Sequence, residues 1–354
     1  MSHYRLALLG FGNVGRALAR LLQRKEAELE DCYGITYTVT GIATGRHGAA
    51  IDPAGLDLDK ALQLVESDRE AYHTWRVHPK GARSLSMITR LPVSDSLDFV
   101  RKCPANVLFE NSPVNHQTGQ PAIDHLHLAL EQGMHAITAN KGPVVHAYRE
   151  LTELAEKMGR KFYFESTVMD GAPIFSLFRS ALPAAQLLGF RGILNSTTNL
   201  ILTHMENGES FDKAVKYTQS IGLAETDPSA DVDGWDAAIK VAALVTVLMG
   251  IPITPQQVER TGIRGITAER IKAAKADGKR WKLVCSAERK GETVSSRVAP
   301  ELVSPASPLY SIAGSTSIVE FQTDVLGDLS IMETSPTPAN TAYGLLADFI
   351  NAVR

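Results

Sequence analysis

The sequence has little of what marks several common classes of protein. Its three cysteines are odd in number and widely spaced, with no Cys-x-x-Cys pair (Cys32, Cys103 and Cys285). Such usage predicts free thiols in a reducing compartment, here the cytoplasm, and disfavours a disulfide scaffold or a catalytic cysteine. The longest strongly apolar run, 241–254, is too short to span a bilayer, so we expect no membrane partner.

The net charge and the pattern of residues argue against further classes of protein. The net charge is −3 and there is no basic stripe, so we expect no nucleic-acid partner. The N-terminal MSHYRLALLGFG lacks the basic region and the cleavage site of a signal peptide and predicts a strand instead. With 354 residues, of which 44% are hydrophobic, the chain is long enough for two globular domains.

Short apolar runs alternate with helical patterns from the first residues onward. The predicted strands are 4–9, 37–44, 106–111, 135–140 and 162–168. The predicted helices are 16–30, 59–66, 122–133 and 143–158. Such alternation is typical of a parallel sheet with helices on both faces. We therefore predict an α/β fold whose Rossmann-type, doubly wound parallel sheet occupies residues 1–145.

The pattern changes in the rest of the chain. Its predicted elements are a strand at 189–195, helices at 198–207, 210–221 and 234–249, and antiparallel strands within 281–325. They predict a second, α+β domain over 146–338. The last residues, about 339–354, predict an amphipathic helix that packs back on the first domain.

A glycine-rich motif follows the first predicted strand and precedes the first helix. It consists of Gly10, Phe11, Gly12, Asn13, Val14 and Gly15. Glycines in this G-x-G-x-x-G context let the backbone approach a pyrophosphate at a helix N-terminus, so the motif predicts dinucleotide binding. The alternative is a tight turn that binds nothing.

The end of the second predicted strand bears on the choice of cofactor. An acid at this position would bind the ribose 2′-hydroxyl of NAD. The sequence there is ATGRH (43–47), with no acid and with one arginine. Arg46 is suited to pair with a 2′-phosphate, which favours NADP over NAD. The alternative is an arginine that only faces solvent.

The stretch ETDPSADVDGWDAAIK (225–240) crowds five carboxylates before a single lysine. A calcium loop is excluded, because Lys240 falls where an EF-hand needs its bidentate glutamate. On a helix over 234–249, Asp236 and Lys240 are i,i+4 neighbours, which an ordinary helix start would also give. The apolar VAALVTVLMG that follows predicts a buried helix, however, and favours a lysine placed for proton transfer or ligand binding.

Five motifs occur in an order found in homoserine dehydrogenases, and the chain resembles that family over roughly 1–250. They are GFGNVG, TANKG (138–142), ESTVMDGAP (165–173), RGILNSTTNLILTHM (191–205) and GLAETDPSADVDGWDAAIK (222–240). The resemblance implies NAD(P)-dependent interconversion of L-homoserine and L-aspartate 4-semialdehyde, in the biosynthesis of threonine, methionine and isoleucine. It also implies a homodimer formed through the second domain, and a short form without a kinase or regulatory extension.

The resemblance also implies roles for individual residues. The implied catalytic residues are Lys240, as proton donor or acceptor, Asp236 and Lys141. The implied substrate-binding residues are Glu225, which would hold the amino group, Asp231 and Gly222. Beside the glycine-rich motif, the implied cofactor contacts are Asn111, Ser112 and Lys141. A sodium ion is implied at Glu165 and at the carbonyls of Val168, Asp170 and Ala172.

The sequence departs from the family pattern at two places. Ser196 stands where members usually have glycine in N-G-T-T-N, and 333–342 has no glycine where members have G-x-G-A-G. In the family that glycine loop packs over the cofactor, and glycine is what permits such close approach. Glu333 is expected to point away from the cofactor phosphates. Two alternatives stay open: a sister dehydrogenase for a related amino or hydroxy acid alcohol, and a catalytically silent nucleotide-binding sensor.

Overall fold

The computed structural model describes residues 1–74 and 84–354 of the chain. These residues form two compact units. The first comprises Met1–Pro143, Ala147–Gly171 and Pro338–Arg354, and the second comprises Val144–His146 and Ala172–Thr337. Within the described residues, no helix is both long enough and apolar enough to cross a membrane.

The first unit is built on a six-stranded sheet. Its strands are β1 (Ser2–Leu9), β2 (Ile35–Thr44), β3 (Gly48–Ile51), β4 (Val107–Glu110), β5 (His135–Thr138) and β6 (Phe162–Tyr163). The helices up to residue 157 are α1 (Asn13–Arg24), α2 (Glu26–Tyr33), α3 (Leu58–Thr74), α4 (Ser96–Lys102), α5 (Ala122–Glu131), α6 (Lys141–His146) and α7 (Tyr148–Lys157). The strand order is β3-β2-β1-β4-β5-β6, and all pairs except β2–β3 are parallel. The predicted Rossmann-type α/β sheet is confirmed.

The register aligns the carboxyl ends of the central strands. Leu9 at the end of β1 lies opposite both Ala43 and Glu110, and Glu110 lies opposite Thr138. The residues that follow these four positions therefore leave the sheet at one edge. In open parallel sheets this is the edge at which ligands bind.

Two helices predicted within residues 16–158 are broken in the structure. The predicted helix 16–30 is interrupted at Lys25, whose φ of −103° and ψ of 9° separate α1 from α2. The predicted helix 143–158 is interrupted at Ala147, whose φ of −141° and ψ of 20° are not helical. Neither residue is glycine or proline, so no local signal marks these breaks.

Two strands of the first unit also differ from the prediction. The strand predicted over 162–168 ends at Tyr163, because Glu165–Thr167 forms a 3-10 turn. Strand β3 was not predicted; it returns antiparallel to β2 and forms the sheet edge. Both differences lie at the two ends of the sheet, where a strand has only one neighbour.

The second unit is built on another six-stranded sheet. Its strands are β7 (Leu187–Ile193), β8 (Glu259–Arg260), β9 (Arg280–Lys290), β10 (Thr293–Val303), β11 (Ser317–Thr323) and β12 (Gly327–Glu333). Its helices are α8 (Ser196–Glu206), α9 (Phe211–Ser220), α10 (Ser229–Val232), α11 (Trp235–Leu248) and α12 (Ala268–Ala276). The strand order is β12-β11-β7-β9-β10-β8, and all pairs except β8–β10 are antiparallel.

Helix α11 is buried, as its apolar sequence predicted. Each residue from Val241 to Val245 is 0% exposed. The helix begins after Gly234, whose φ of +80° is in the left-handed region that favours glycine. The lysine at the start of the apolar run is thus carried on a helix that the core fixes in place.

The last helix of the chain, α13 (Pro338–Val353), packs in the core of the first unit. Phe349 is 0% exposed, and its ring lies 5.8 Å from that of Tyr4 and 6.0 Å from that of Phe109, both edge to face. The hydroxyl of Tyr4 donates to the carbonyl of Val353 at 3.2 Å. These contacts join the C-terminal helix to β1 and β4.

We predict that Phe349→Ala destabilises the first unit by about 3–5 kcal/mol, the usual loss for a fully buried aromatic side chain. The measurement is the free energy of unfolding in urea. Tyr343→Ala is the matched control, because Tyr343 lies on the same helix and is 57% exposed. A change in that control within about 0.5 kcal/mol is expected. Equal effects of the two substitutions would contradict the packing of α13 described here.

Candidate active site

The glycine-rich motif forms the turn between β1 and α1. Gly10 has φ +96°, and a Cβ there would lie 2.2 Å from the carbonyl oxygen of Asn111. A Cβ on Gly15 would lie 2.5 Å from the carbonyl oxygen of Gly10. By contrast, a Cβ on Gly12 would meet nothing within 4 Å, so the space before the N-terminus of α1 is open. Two glycines thus serve close packing, and the third faces an accessible helix N-terminus suited to a phosphate.

A cavity of about 350 Å³ lies at the carboxyl edge of the first sheet. Gly10, Thr44, Gly45, Ser112 and His125 are among its lining residues. They come from the ends of β1, β2 and β4 and from α5. A cavity at this edge, next to a glycine turn, is where a Rossmann-type sheet holds its dinucleotide.

Two residues at the end of β4 carry buried polar atoms that have no hydrogen-bond partner among residues 1–74 and 84–354. Asn111 Oδ1 and Ser112 Oγ are both buried and unpaired. Leaving such atoms unsatisfied is costly, so they fit a site completed by a ligand. Together with the open helix N-terminus, they make the first unit a fit for the nicotinamide dinucleotide that the sequence predicted.

The other two predicted cofactor residues, Lys141 and Arg46, are not among the residues that line this cavity. Lys141 is the first residue of α6, and the preceding Asn140 caps that helix by accepting from Gly142 N at 3.0 Å. Asn140 Nδ2 also donates to the carbonyl of Ser112 at 3.2 Å, which ties the start of α6 to the β4 loop. Arg46, by contrast, is exposed and is not among the residues that line the cavity.

Sequence reasoning missed a buried polar network behind the cavity. The Glu110 carboxylate, 0% exposed, accepts from the backbone N–H of Ser112 at 3.2 Å and from Thr138 Oγ1 at 3.2 Å. His125 Nδ1 lies 3.4 Å from Glu110 Oε1, and its Nε2 lies 2.8 Å from Ser96 Oγ. The sequence did contain an indication of this network, because the polar residues Glu110 and Thr138 lie near the ends of the predicted strands 106–111 and 135–140.

The second unit gathers three of the predicted site residues around one asparagine. Asn195 Nδ2 donates to Asp231 Oδ1 at 2.7 Å and to Asp236 Oδ2 at 2.9 Å. Lys240 Nζ lies 3.2 Å from Asp236 Oδ2 and donates to the carbonyl of Leu194 at 2.6 Å. The lysine and both carboxylates are therefore fixed in one cluster at the end of β7.

Burial alters the acidity of this cluster. It raises the pKa of Asp231 to about 6, and the neighbouring charge of Asp236 adds to the rise. The Asn195 and Lys240 side chains oppose it. Burial also raises the pKa of the nearby Cys285 thiol to about 12, so this cysteine is an inert structural residue.

The remaining acids of the 225–240 stretch lie elsewhere. Glu225 and Gly222 are exposed, and the Glu225 side chain has no ion pair within the described residues. Asp227 Oδ1 accepts from Ser229 N at 3.0 Å, and Asp233 pairs with Arg264 at 2.5 Å. Two of the five carboxylates thus have local structural partners, and the structure does not join Glu225 to the lysine cluster.

Ser196, the serine in the glycine position of the family motif, is accommodated by a hydrogen bond. Its hydroxyl lies 3.1 Å from that of Ser317. One turn later, Asn199 Nδ2 donates to the carbonyls of Gly314 and Thr316, each at 3.1 Å. Asn199 Oδ1 accepts from the fully buried Lys282 at 3.0 Å. Helix α8 is therefore anchored along one side while its cap, Asn195, serves the cluster.

The glycine-free segment is accommodated by one unusual residue. Ser335 has φ +49°, in the region that favours glycine, and Pro338 begins α13. A close approach occurs within α13 instead, where a Cβ on Gly344 would lie 2.2 Å from Ser166 Oγ and 3.0 Å from the Cα of Gly171. Glu333 is the last residue of β12 and is half-buried.

The predicted sodium ligands are not a cluster of charged groups. Glu165 and Val168 are buried, at 3% and 2% exposed, and Ala172 belongs to the second unit. Asp170 Oδ1 accepts from Thr341 Oγ1 at 2.7 Å. Over residues 1–74 and 84–354, no group of three or more His, Cys, Asp or Glu side chains is arranged to hold a metal. The sodium ion stays a prediction.

Comparison with known proteins assigns the chain to a family. A sequence profile described as homoserine dehydrogenase matches residues 173–350, and one described as the NAD binding domain of homoserine dehydrogenase matches residues 10–165. The NAD(+)-dependent homoserine dehydrogenase of Pseudomonas canavaninivorans is 35% identical, over 99% of this chain and 96% of that protein. The chain belongs to the homoserine dehydrogenase family. The NAD-binding unit and the catalytic unit of the family are both present.

Other members of the homoserine dehydrogenase family agree in sequence and fold. The homoserine dehydrogenase of Methanocaldococcus jannaschii is 35% identical over 98% of this chain and 97% of that protein. A crystal structure of the Thiobacillus denitrificans homoserine dehydrogenase matches with a TM-score of 0.81, at 26% identity, over 100% of this chain and 74% of that one. A hyperthermophilic archaeal homoserine dehydrogenase mutant in complex with NADPH matches with a TM-score of 0.80, at 28% identity, over 99% and 98% of the two chains.

We predict that Asp231→Asn stabilises the protein at neutral pH but not near pH 4. The native pKa of about 6 lies above that of an unfolded aspartate, near 4. The native state therefore holds a proton that the unfolded state has released, and stability falls as pH rises from about 4 to 6. At about 1.4 kcal/mol per pKa unit, the variant should gain up to about 3 kcal/mol over wild type above pH 7.

The measurement is urea unfolding of both proteins at pH 4.5 and 7.5. The substituted side chain would keep an oxygen that accepts from Asn195, so the cluster loses charge and not its hydrogen bond. Asp227→Asn is the control, because Asp227 is exposed and its pKa is lowered by its hydrogen bonds with Ser229. A difference between wild type and Asp231→Asn that is the same at both pH values would refute the assignment.

Proposed function

We propose that this chain is an NAD(P)-dependent homoserine dehydrogenase that interconverts L-homoserine and L-aspartate 4-semialdehyde. The observation that carries the proposal is the cluster of Asn195, Asp231, Asp236 and Lys240. It supplies a lysine and two carboxylates at fixed positions, and Asp236 and Lys240 lie on a helix that the core holds in place. Membership of the family and the dinucleotide-suited first unit support it.

The chemistry requires a proton carrier at the substrate oxygen. A nicotinamide dinucleotide held by the first unit would supply the hydride acceptor for the alcohol carbon in the oxidation. Lys240, in its uncharged form, takes the hydroxyl proton as the C–H bond breaks and the carbonyl forms; in the reduction the same ammonium returns it. Asp236, 3.2 Å from Lys240 Nζ, orients the amine and stabilises it when it is protonated.

The carboxylates suit the other end of the substrate. L-Homoserine carries an ammonium group, which needs acids around it. Asp231 is a half-buried acid of the cluster, and Glu225 is proposed to bind the ammonium group from an exposed position. Gly222, at φ +73°, is proposed to line the substrate site with its backbone, since it has no side chain. Lys141 is proposed to act at the nicotinamide end of the cofactor.

The first unit is proposed as the cofactor domain, with contacts from the glycine-rich motif, Asn111 and Ser112. The cofactor supplies hydride acceptance or donation, and the chain supplies its binding and orientation. In the sequence, Arg46 favoured NADP over NAD. In the structure Arg46 is exposed, so only its positive charge supports the binding of a 2′-phosphate. The second unit is proposed as the substrate and dimerisation domain.

Three further proposals are made, of which the first two rest on the resemblance and the third on the use of cysteine. They are a sodium ion at Glu165, Val168, Asp170 and Ala172, a homodimer, and residence in the cytoplasm. All three cysteines are free in the structure, which agrees with a reducing compartment. A sister dehydrogenase or a silent sensor would share the dinucleotide site, so turnover of L-homoserine is what separates them from the main proposal.

We predict that Lys240→Ala lowers kcat for L-homoserine oxidation by about 10²- to 10⁴-fold while the cofactor still binds, because the proton carrier is lost. The measurement is the initial rate of NAD and NADP reduction at alkaline pH, with NADH binding followed separately. Lys216→Ala, an exposed lysine of α9, is the control and should keep its rate. Undiminished turnover in Lys240→Ala, or a folded wild type that binds a cofactor and turns over no L-homoserine, would defeat the proposal.

We predict that Glu225→Gln raises KM for L-homoserine about tenfold with a smaller change in kcat, because one charge-assisted hydrogen bond to the ammonium is weakened. The KM for the dinucleotide should stay unchanged. Asp227→Asn is the matched control, since Asp227 is a neighbouring exposed acid whose hydrogen bonds are made to Ser229. A normal KM in Glu225→Gln would exclude Glu225 from the substrate site.

A further inference from the structure

One wall of the dinucleotide cavity carries an acid that the sequence pattern did not reveal. In Rossmann-type folds an Asp or Glu at the end of the second strand binds the ribose hydroxyls of NAD. Here that position is occupied by Thr44 and Gly45, which both line the cavity of about 350 Å³. The same cavity is lined by Ser94, Asp95 and Ser96, at the beginning of α4. An acid is therefore present in the cavity although none follows β2.

The Asp95 side chain is held in place by its neighbours. It is the N-cap of α4, and its Oδ1 accepts from the backbone N–H of Asp98 at 2.8 Å. Its Oδ2 accepts from Ser94 Oγ at 3.0 Å, and Ser94 N donates to Asp98 Oδ2 at 2.9 Å. The bond from Asp98 N lowers the pKa of Asp95, so its carboxylate is charged at neutral pH. A carboxylate has about four acceptor sites, which leaves capacity for a ligand hydroxyl.

The turn that carries Asp95 is also anchored from behind. Ser96 Oγ lies 2.8 Å from Nε2 of His125, a residue that is 1% exposed. His125 in turn lies against the buried Glu110 at the end of β4. The turn is thus tied to the carboxyl edge of the sheet by buried groups, and its position in the cavity wall is set before any ligand binds.

The described residues that line the cavity carry a negative charge and no positive charge from lysine or arginine. Among the described residues that line the cavity, Asp95 is the one acidic side chain, and no lysine or arginine is present. Arg46, the cation that follows β2, lies outside this lining, whereas Asp95, which is exposed like Arg46, lies within it. A phosphomonoester carries a charge of about −1.5 to −2 at neutral pH. A wall with a fixed carboxylate and no cation disfavours such a group and accepts a hydroxyl.

We propose that Asp95 is a specificity-determining residue that accepts a hydrogen bond from a ribose hydroxyl of NAD and repels the 2′-phosphate of NADP. The chain accordingly prefers NAD, which reverses the preference that Arg46 suggested in the sequence. This inference rests on the proposed dehydrogenase function. A relative with 35% identity is an NAD(+)-dependent enzyme by its name, whereas a structural neighbour at 28% identity holds NADPH, so the family accommodates both choices.

The test is equilibrium binding of NADH and NADPH, followed by nicotinamide fluorescence, in the absence of substrate. Wild type is expected to bind NADH more tightly than NADPH. Asp95→Asn keeps a good N-cap for α4 and removes the charge. It should improve the affinity for NADPH relative to NADH about tenfold, as expected for the loss of repulsion between one charge and a phosphate a few ångströms away.

Asp31→Asn is the control, because it removes the same charge from an exposed position on α2 of the first unit and Asp31 does not line the cavity. Its ratio of NADPH to NADH affinity should equal that of wild type. The inference fails if wild type binds NADPH more tightly, or if Asp95→Asn leaves the ratio unchanged while both dinucleotides bind. A selective loss of NADPH binding in Arg46→Ala would also overturn it. If folded wild type binds neither dinucleotide, the dehydrogenase proposal itself is wrong.

Discussion

The side-chain amide of Asn195 is the interaction on which the polar cluster of the second unit depends. Its oxygen caps α8 by accepting from Thr198 N at 2.8 Å, and its nitrogen donates to Asp231 and Asp236. One residue therefore starts a helix and holds two carboxylates that would otherwise repel each other. Because Lys240 is paired with Asp236, the position of the lysine also follows from this amide. Asn195 is 3% exposed, so water does not replace these bonds.

The first unit also holds a buried acidic side chain through hydrogen bonds, at the carboxyl edge of its sheet. The Glu110 carboxylate is completely buried, and its cost is offset by Ser112 N, Thr138 Oγ1 and the ring of His125. These partners shape the loop after β4 and leave the polar atoms of Asn111 and Ser112 for a ligand. In both units, then, buried hydrogen bonds hold the functional groups, and the apolar core holds the elements that carry them.

Much of the fold and part of the site could be predicted from the sequence. The alternation of strands and helices gave the parallel sheet, because each element buries one apolar face with its own period. The spacing of Asp236 and Lys240 predicted the contact between them, since i,i+4 residues are neighbours on any helix. The breaks at Lys25 and Ala147 could not be predicted, because neither residue is a helix breaker. Likewise, spacing and periodicity did not distinguish Asp231 in the cluster from Asp233, which pairs with Arg264, and only the family resemblance singled out Asp231.

The sequence by itself determined what is local: the glycine turn at Gly10, the buried helix after Lys240, and the family to which the motifs belong. Only the tertiary structure decided which polar groups meet across elements. Asn195 reaches Asp231 and Asp236, 36 and 41 residues away, and Ser96 reaches His125, 29 residues away. The physical reason is that periodicity encodes the burial of each element, whereas contacts between distant side chains depend on how the elements pack. For the same reason the sequence did not identify Asp95 as a cavity residue, because that placement follows from the packing of α4 against β2 and β3.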